Sequence, residues 1–549
     1  MLHRKLVFLI ATALLLLAAT HGAASANAQT PTLVYNLQEY FALVRKESPE
    51  IFCGVHVTDL DGGGTIFSES SRERYIPASL LKVLTTLASL KILGGSYRFP
   101  TEVFLDALPR ELGEPGEVKV DFAQPPTVVG NMYVRGYGDP TFDTHRMEDL
   151  AQSLRRYGVK EVKDVVIDDS LFHAPPRAAS DKPHDAGLSA VTVNFNSYGV
   201  AVAPGRLGRP AEVSLPDGTP YTLLNLTKTV RGTAQEIEIY QSPGAGSSIP
   251  GADDADRIFL GERSKVQVTV QGSVGHRSSG ATYYRSVPDA PEYFASLLKF
   301  NLERSGLKVK GAFRRGETPS AAKLLQTIES DDLSTILRQL NHSSNNVVAG
   351  QLVFAIGQDA NGYFRYDRGL TRLVSELEAL GESPDGFEIY DGSGLDKRNQ
   401  MNAEQIVKIL AAGYKDFSLG PDFVASLSRF GQSGTLKSRE LLDREFALRL
   451  RGTELEETRA RSSAVWGKTG TLDSVSSLAG FAESQTGARL AFAIVLNGVP
   501  DKERAVRIEN DFVKLLIGLP VAALAPKAVP LRPRPPHLAR LPDQVPTKK

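Results

Sequence analysis

The stretch Pro77-Ala78-Ser79-Leu80-Leu81-Lys82-Val83-Leu84-Thr85-Thr86-Leu87 stays apolar through Leu93 and stops at Gly94-Gly95. Its pattern predicts a deeply buried helix starting near Ser79. One helical turn separates Ser79 from Lys82, so the two share a face, and the amides of the first turn point towards whatever sits at Ser79. Those amides can hold an oxyanion, and one such donor is typically worth ~10²–10³ in turnover. Lys82 can act as a base on Ser79 only while uncharged, which requires its pKa to fall from ~10.4 towards ~7–8. Burial beside Leu81 and Val83 can supply that shift. A lysine lying along the surface with its amine in water would not be shifted and could not serve.

A serine three positions before a lysine is not specific, because Ser296/Lys299, Ser305/Lys308 and Ser320/Lys323 repeat it. Context separates them. Ser296 lies within the amphipathic run Tyr293 to Leu302, and Ser305-Gly306 reads as a helix stop. Ser320 follows Pro319 but lacks the long buried helix.

At 549 residues the chain exceeds one ordinary core of ~100–200 residues, so two or more units are expected. The 63 basic residues balance 63 acidic ones, so net charge gives no argument for a nucleic-acid partner. His3-Arg4-Lys5, the apolar run Leu6 to Ala19 and the small residues up to Ala28 predict a signal peptide over 1–28, with cleavage after Ala26 or Ala28. The run is shorter than the ~20 residues of a membrane-spanning helix. Cys53 is the single cysteine, which excludes an internal disulfide and a cysteine metal cluster. Residues 524–549 are rich in proline, with Lys527, Arg532, Arg534, Arg540, Lys548 and Lys549 against Asp543 alone. They read as a disordered basic extension, either solvated or weakly adhering to an anionic wall or membrane surface.

Helical spacing covers Gln38 to Lys46, Leu333 to Leu340, Val347 to Ile356, Gly369 to Leu380, Ala403 to Ala412 and Ala505 to Leu516. Strand patterns cover Phe52 to Leu60 and Thr65 to Ser68 around Asp61-Gly62-Gly63-Gly64, and later Ala464 to Leu472, Ser477 to Ala482 and Ala488 to Asn497. The short connections of that later series favour an antiparallel meander. Between Phe99 and Arg315 lie short β-rich runs such as Val128 to Tyr133, Val162 to Ile167 and Val266 to Val270, which read as an insertion.

Two further stretches can carry chemistry. His342-Ser343-Ser344-Asn345-Asn346-Val347-Val348-Ala349 lies between two predicted helices and can simply cap the second. A serine and an asparagine two apart can instead relay a proton to a leaving amine and bind a substrate amide. Trp466-Gly467-Lys468-Thr469-Gly470-Thr471-Leu472 is no phosphate loop, because Ser462 stands where that motif needs glycine. It fits an ordinary half-buried strand. It also fits a strand on which Lys468 and Thr469 hold a carboxylate, Gly470 permits close backbone approach, and an extended peptide pairs alongside.

Together, in this order, the three stretches resemble the Ser-x-x-Lys, Ser-x-Asn and Lys-Thr-Gly signature of the serine penicillin-recognising enzymes. Asn131-Met132-Tyr133-Val134-Arg135-Gly136-Tyr137-Gly138-Asp139-Pro140, Ile167-Asp168-Asp169-Ser170-Leu171-Phe172, Val193-Asn194-Phe195-Asn196-Ser197, Asp391-Gly392-Ser393-Gly394-Leu395 and Gly434-Thr435-Leu436 sharpen the likeness. They resemble the D-alanyl-D-alanine carboxypeptidase/endopeptidase family of the penicillin-binding protein 4 type. The resemblance implies Ser79 as nucleophile, Lys82 as base, Ser344 and Asn346 as proton relay and substrate ligand, and Lys468 with Thr469 on the terminal carboxylate. It adds the Thr471 amide to that of Ser79 in the oxyanion hole, and counts Gly470 with Lys468, Thr469 and Thr471 among the substrate-binding residues. It implies peptidoglycan stem peptides as substrate, β-lactams as acylating inhibitors, a periplasmic or envelope location, and no metal or cofactor. The middle motif fits both Ser343/Asn345 and Ser344/Asn346, and the following Ala349 favours the second. Gly350 stands where the family commonly has an acidic residue, and Asp396 where relatives more often have serine.

The implied fold is an α/β (α+β) penicillin-binding domain of the serine β-lactamase kind, an antiparallel sheet flanked by helices. It is assembled from 29–98 and 316–523, with one or two inserted β-rich domains over 99–315. A β-lactamase or esterase of the same fold would share the acylating serine but release the drug rapidly. A non-catalytic wall-binding protein would keep the fold without needing all three reactive stretches.

Overall fold

The computed structural model describes residues 31–108, 127–173, 180–243, 266–442 and 450–521, with Phe259, Leu448 and Leu524. The expected signal peptide, and the proline-rich tail apart from Leu524, lie outside these residues. Helix α1 (31–47) buries Leu37, Tyr40, Phe41 and Val44, the i, i+3, i+4, i+7 face of one amphipathic helix. Strands β1 (Phe52–Asp59) and β2 (Thr65–Glu69) form the hairpin read around Asp61–Gly64. Ser79 then occupies a single 3₁₀ turn, Ala78–Leu80, that runs into helix α2 (Leu81–Leu93). Ten consecutive residues of α2, Leu81 through Leu90, are buried, as a helix apolar on every side must be.

The chain then leaves for the insertion. Strands β3 (Pro100–Leu105), β4 (Met132–Gly136), β5 (Val165–Asp168), β6 (Phe313–Arg315) and β7 (Lys323–Glu329) make one mixed sheet in the order β6-β5-β4-β3-β7. Arg135 with Asp168 at 2.9 Å, and Arg315 with Asp169 at 2.7 Å, pair buried carboxylates with guanidinium groups of the same sheet. The β-rich reading needs two changes. Val128 to Tyr133 is not one strand, because Gly130 at φ 75° separates Thr127–Val128 from β4. Val162 to Ile167 likewise divides into Val159–Val162 and β5, each in a different sheet. The two breaks bond each other, Lys163 N–H to the Gly130 carbonyl and Met132 N–H to that of Asp164. Such pairing is invisible in an apolar run.

The expected return to the main domain at 316 also moves. Strand β7 pairs antiparallel with β3, Ile328 opposite Thr101, so the insertion's sheet extends to Glu329. The chain leaves and returns at adjacent residues, since Phe99 and Ser330 exchange hydrogen bonds.

Helices α3 (Leu333–Ser343), α4 (Asn346–Ile356), α5 (Tyr366–Ala379) and α6 (Ala403–Lys415) gather round α2. Strands β8 (Ser428–Arg429), β9 (Trp466–Leu472), β10 (Val475–Glu483) and β11 (Arg489–Asn497) complete an all-antiparallel sheet in the order β8-β9-β10-β11-β1-β2. Helix α7 (Lys502–Leu516) closes the set. On β11 the period of two sends Leu490, Phe492, Ile494 and Leu496 to the core under α1 and α7, and Ala491, Ala493 and Val495 to the core shared with α2. The result is three layers, with the sheet buried on both faces.

Candidate active site

Three loops and one sheet edge converge at the N-terminal end of α2. Ala78, at φ 49°, holds a left-handed conformation costly for a residue with a Cβ, and this places Ser79 half-buried on a cavity wall. The turn is fixed from two sides. Gly394, at φ 78°, packs on the Ala78 carbonyl with no room for a side chain, and the Ser477 hydroxyl donates to the Pro77 carbonyl at 2.9 Å.

Lys82 has no exposed surface. Its Nζ lies 2.9 Å from Ser79 Oγ, 2.7 Å from Asn346 Oδ1 and 2.7 Å from the Ser393 carbonyl oxygen. Burial brings its pKa down to about 7, against the opposing influence of Asp391. The partner set determines what a neutral amine does. Its two hydrogens go to the two groups that can only accept, the carboxamide oxygen and the backbone carbonyl, and its lone pair faces the Ser79 hydroxyl. The orientation of Asn346 follows from the same reasoning, because its Nδ2 donates to the His184 carbonyl at 3.0 Å.

The two readings of the middle stretch are both realised, one residue apart. Asn345 caps α4, accepting from the Val347 and Val348 amides, while Ser343 turns its hydroxyl back to the Gln339 carbonyl. That leaves Ser344, left-handed at φ 54° between α3 and α4, and Asn346 to face the cavity. Lys468 on β9 is fully buried and donates to Ser344 Oγ at 2.8 Å and to the Thr469 carbonyl at 2.7 Å. Burial, reinforced by the nearby Lys82, holds its pKa well below the ordinary lysine value.

A cavity of about 800 Å³ is lined by Ser79, Ser344, Asn346, Thr469 and Thr471 among others. Lys82 and Lys468 stand behind that wall, and Gly470 faces the Ser79 turn. A Cβ on Gly470 would fall on the Ser477 hydroxyl and lie 3.0 Å from both the Pro77 oxygen and the Ser79 nitrogen, so the space that glycine leaves is taken by the protein's own Ser79 turn and the Ser477 side chain that fixes it. Beside Lys468, Thr469 Oγ1 donates to Thr435 Oγ1 at 2.8 Å, and both threonines line the cavity.

Sequence reasoning assigned no role to the carbonyls of Ser393 and His184 or to Thr435. Asp391-Gly392-Ser393-Gly394 carries a legible signal, since the Asp391 carboxylate accepts from the amides of Ser393 and Asp396 and shapes the turn. The His184 carbonyl carries none, because any residue supplies one. The two departures are also accounted for locally. A side chain on Gly350 would press into Leu188 of the insertion, and the Asp396 carboxylate is taken up by Arg398.

A family model described as D-Ala-D-Ala carboxypeptidase 3 (S13) matches residues 37–517. The chain belongs to that family. Among relatives of this D-Ala-D-Ala carboxypeptidase family, a D-alanyl-D-alanine carboxypeptidase of Actinomadura sp. (strain R39) is 30% identical over 464 residues, 81% of this chain and 77% of the relative. The D-alanyl-D-alanine carboxypeptidase DacB of Haemophilus influenzae is 23% identical over 442 residues, covering 77% and 80% of the two chains. The crystal structure of penicillin-binding protein 4 (dacB) from Haemophilus influenzae superposes with a TM-score of 0.64 at 19% identity, covering 85% of this chain and 97% of that one. The fold is therefore the one the three motifs implied.

Proposed function

We propose that this carboxypeptidase acts on peptidoglycan stem peptides ending in D-Ala-D-Ala, through an acyl-enzyme on Ser79. The observation that carries the reading is the fully buried amine of Lys82, 2.9 Å from Ser79 Oγ and 2.7 Å from two groups that can only accept, an arrangement that leaves its lone pair for the Ser79 hydroxyl once burial has lowered its pKa. Lys82 takes the hydroxyl proton as Oγ attacks the carbonyl of the penultimate residue. The amides of Ser79 and Thr471 receive the oxyanion. The proton taken by Lys82 passes through Ser344, which is held by Lys468, to the leaving D-Ala amine and leaves Lys82 neutral again; Lys82 then takes a proton from the water that attacks the acyl carbon and returns it to Ser79 Oγ as the acyl group leaves. The hydroxyls of Thr469 and Thr435 meet the terminal carboxylate, with the buried Lys468 behind them. Among the described residues the hydrogen-bond partners of Lys468 are uncharged, so an anionic ligand would favour its protonated form and be held in return.

Asn346 binds the substrate amide while keeping Lys82 in place. Cleavage of crosslinked stems belongs to the same chemistry, with a larger leaving amine. Acylation by β-lactams follows because a strained lactam presents its carbonyl and carboxylate to the same groups; one Haemophilus influenzae structure of this fold holds a β-lactam. The basic tail and the leader-like first residues support an exported protein that adheres weakly to the wall or membrane surface.

The test is release of D-Ala from a blocked tripeptide ending in D-Ala-D-Ala. Wild type releases it, Ser79→Ala does not, and Lys82→Met is slower by roughly 10²–10⁴-fold. Release by folded Ser79→Ala at the wild-type rate would reject the assignment.

A further inference from the structure

A second cavity of about 780 Å³ opens between the insertion and α3. It is separate from the catalytic one but adjoins it. Gln339, His342 and Ser343 of α3 line this cleft, and the next residue, Ser344, lines the catalytic cavity. At ~1.5 Å rise per residue, Gln339 and Ser344 are about 7–8 Å apart along the helix axis, so a substrate longer than its terminal dipeptide can occupy both spaces.

The walls are those of a site for rings with apolar faces. Phe142 and Phe195 line it from the insertion, and Phe195 is held at φ 55° between Asn194 and Asn196, both also left-handed. Tyr284 is 59% exposed, and Gly199, directly opposite it in the strand pair, supplies no side chain to cover its ring. The polar lining has little net charge to offer. Arg146 is bonded to Asp139 at 3.1 Å and to Asp331 at 2.9 Å. The carboxamide oxygen of Gln339 is buried without a hydrogen-bond partner among the described residues, and so calls for a donor.

We infer that this cleft binds the glycan of the polymeric substrate. Its pyranose rings stack on Tyr284 and Phe195, and a hydroxyl or acetamido N–H donates to Gln339. The inference rests on the function proposed above, in that the polymer cut at Ser79 also carries sugar. It makes the insertion a reader of the strand to which the stem peptide is attached.

Two measurements test it. First, binding of a peptide-free N-acetylhexosamine tetrasaccharide is followed by ligand-observed NMR on full-length Ser79→Ala protein, which needs no turnover. Binding is expected with Ser79→Ala and lost when Tyr284→Ala is added. Absence of binding at millimolar concentration overturns the inference. Second, kcat/KM is compared for a small blocked tripeptide and for the same stem attached to a glycan. Tyr284→Ala and Gln339→Leu should leave the tripeptide unchanged and lower the glycan-borne substrate by about tenfold. Equal values for both substrates in the variants, lowered or unlowered, contradict it. So does a loss confined to Arg338→Ala, at a second arginine lining the cleft, and seen with sugar-free stem peptide, which would make the cleft a peptide site. Failure of wild type to cleave the tripeptide would instead strike at the proposed reaction, while tetrasaccharide binding would still report on the cleft.

Discussion

At the scale of single residues, Lys82 pays a large electrostatic cost for its place in the site. Lowering its pKa from 10.5 to about 7 opposes roughly 5 kcal/mol of preference for the ion. Two consequences have definite signs. The rate of Ser79 acylation should rise with pH through a limb near 7, as the proton leaves Lys82, and kcat/KM across pH 5 to 9 checks it. Stability moves with the same proton. The unfolded chain binds it up to about pH 10.5 and the folded chain only to about pH 7. The destabilisation due to Lys82 is therefore full below pH 7 and fades as pH rises towards 10.5. Lys82→Met should stabilise the protein more at pH 6 than at pH 9, by roughly 2–3 kcal/mol, measured by denaturant unfolding. The Ser79–Lys82 relation was legible because one helical turn enforces it. The preference for Asn346 over Asn345 came from the family likeness and Ala349, not from residue chemistry, because both a cap and a ligand want a carboxamide and only the backbone path around Ser344 separates them.

Elements meet here by close backbone approach. Strand β9 can lie against the Ser79 turn only while position 470 has no side chain. Gly470→Ala should displace the Ser477 hydroxyl from the Pro77 carbonyl and push strand and turn apart, cutting acylation by about 10²-fold while costing only about 1–3 kcal/mol of stability. Stopped-flow acylation beside a melting curve separates those effects; proportional loss of both would mean simple unfolding. The surface helices were readable from the periodicity of one buried face, and α2, α4 and the closing strands from long apolar runs bounded by turn residues. The insertion's strands were not, because Gly130 and the Lys163-Asp164 corner break two apolar runs that composition alone leaves continuous.

For the whole molecule, the insertion packs against the candidate active site as well as lining the second cleft. Asn346 leans on the His184 carbonyl, Gln351 donates to the Ser189 carbonyl at 2.7 Å, and Leu188 fills the space beside Gly350. Because Phe99 and Ser330 are hydrogen-bonded, 100–329 can be excised with a short linker. The shortened protein should lose cleavage of soluble peptides as well as action on intact sacculi. Retained peptide cleavage would confine the insertion to shielding or guiding polymer. None of these contacts could be read in advance, since they are made by carbonyls and a packing leucine about 160 residues from their partners.

The central claim is that Ser79 is acylated with Lys82 as its base. It is met most directly by trapping the adduct: the protein is treated with benzylpenicillin, its intact mass measured, and the modified peptide mapped. One penicilloyl group should sit on the peptide containing Ser79, be absent from Ser79→Ala and form far more slowly in Lys82→Met. A stable adduct on any other residue, or one that survives Ser79→Ala, would contradict the account.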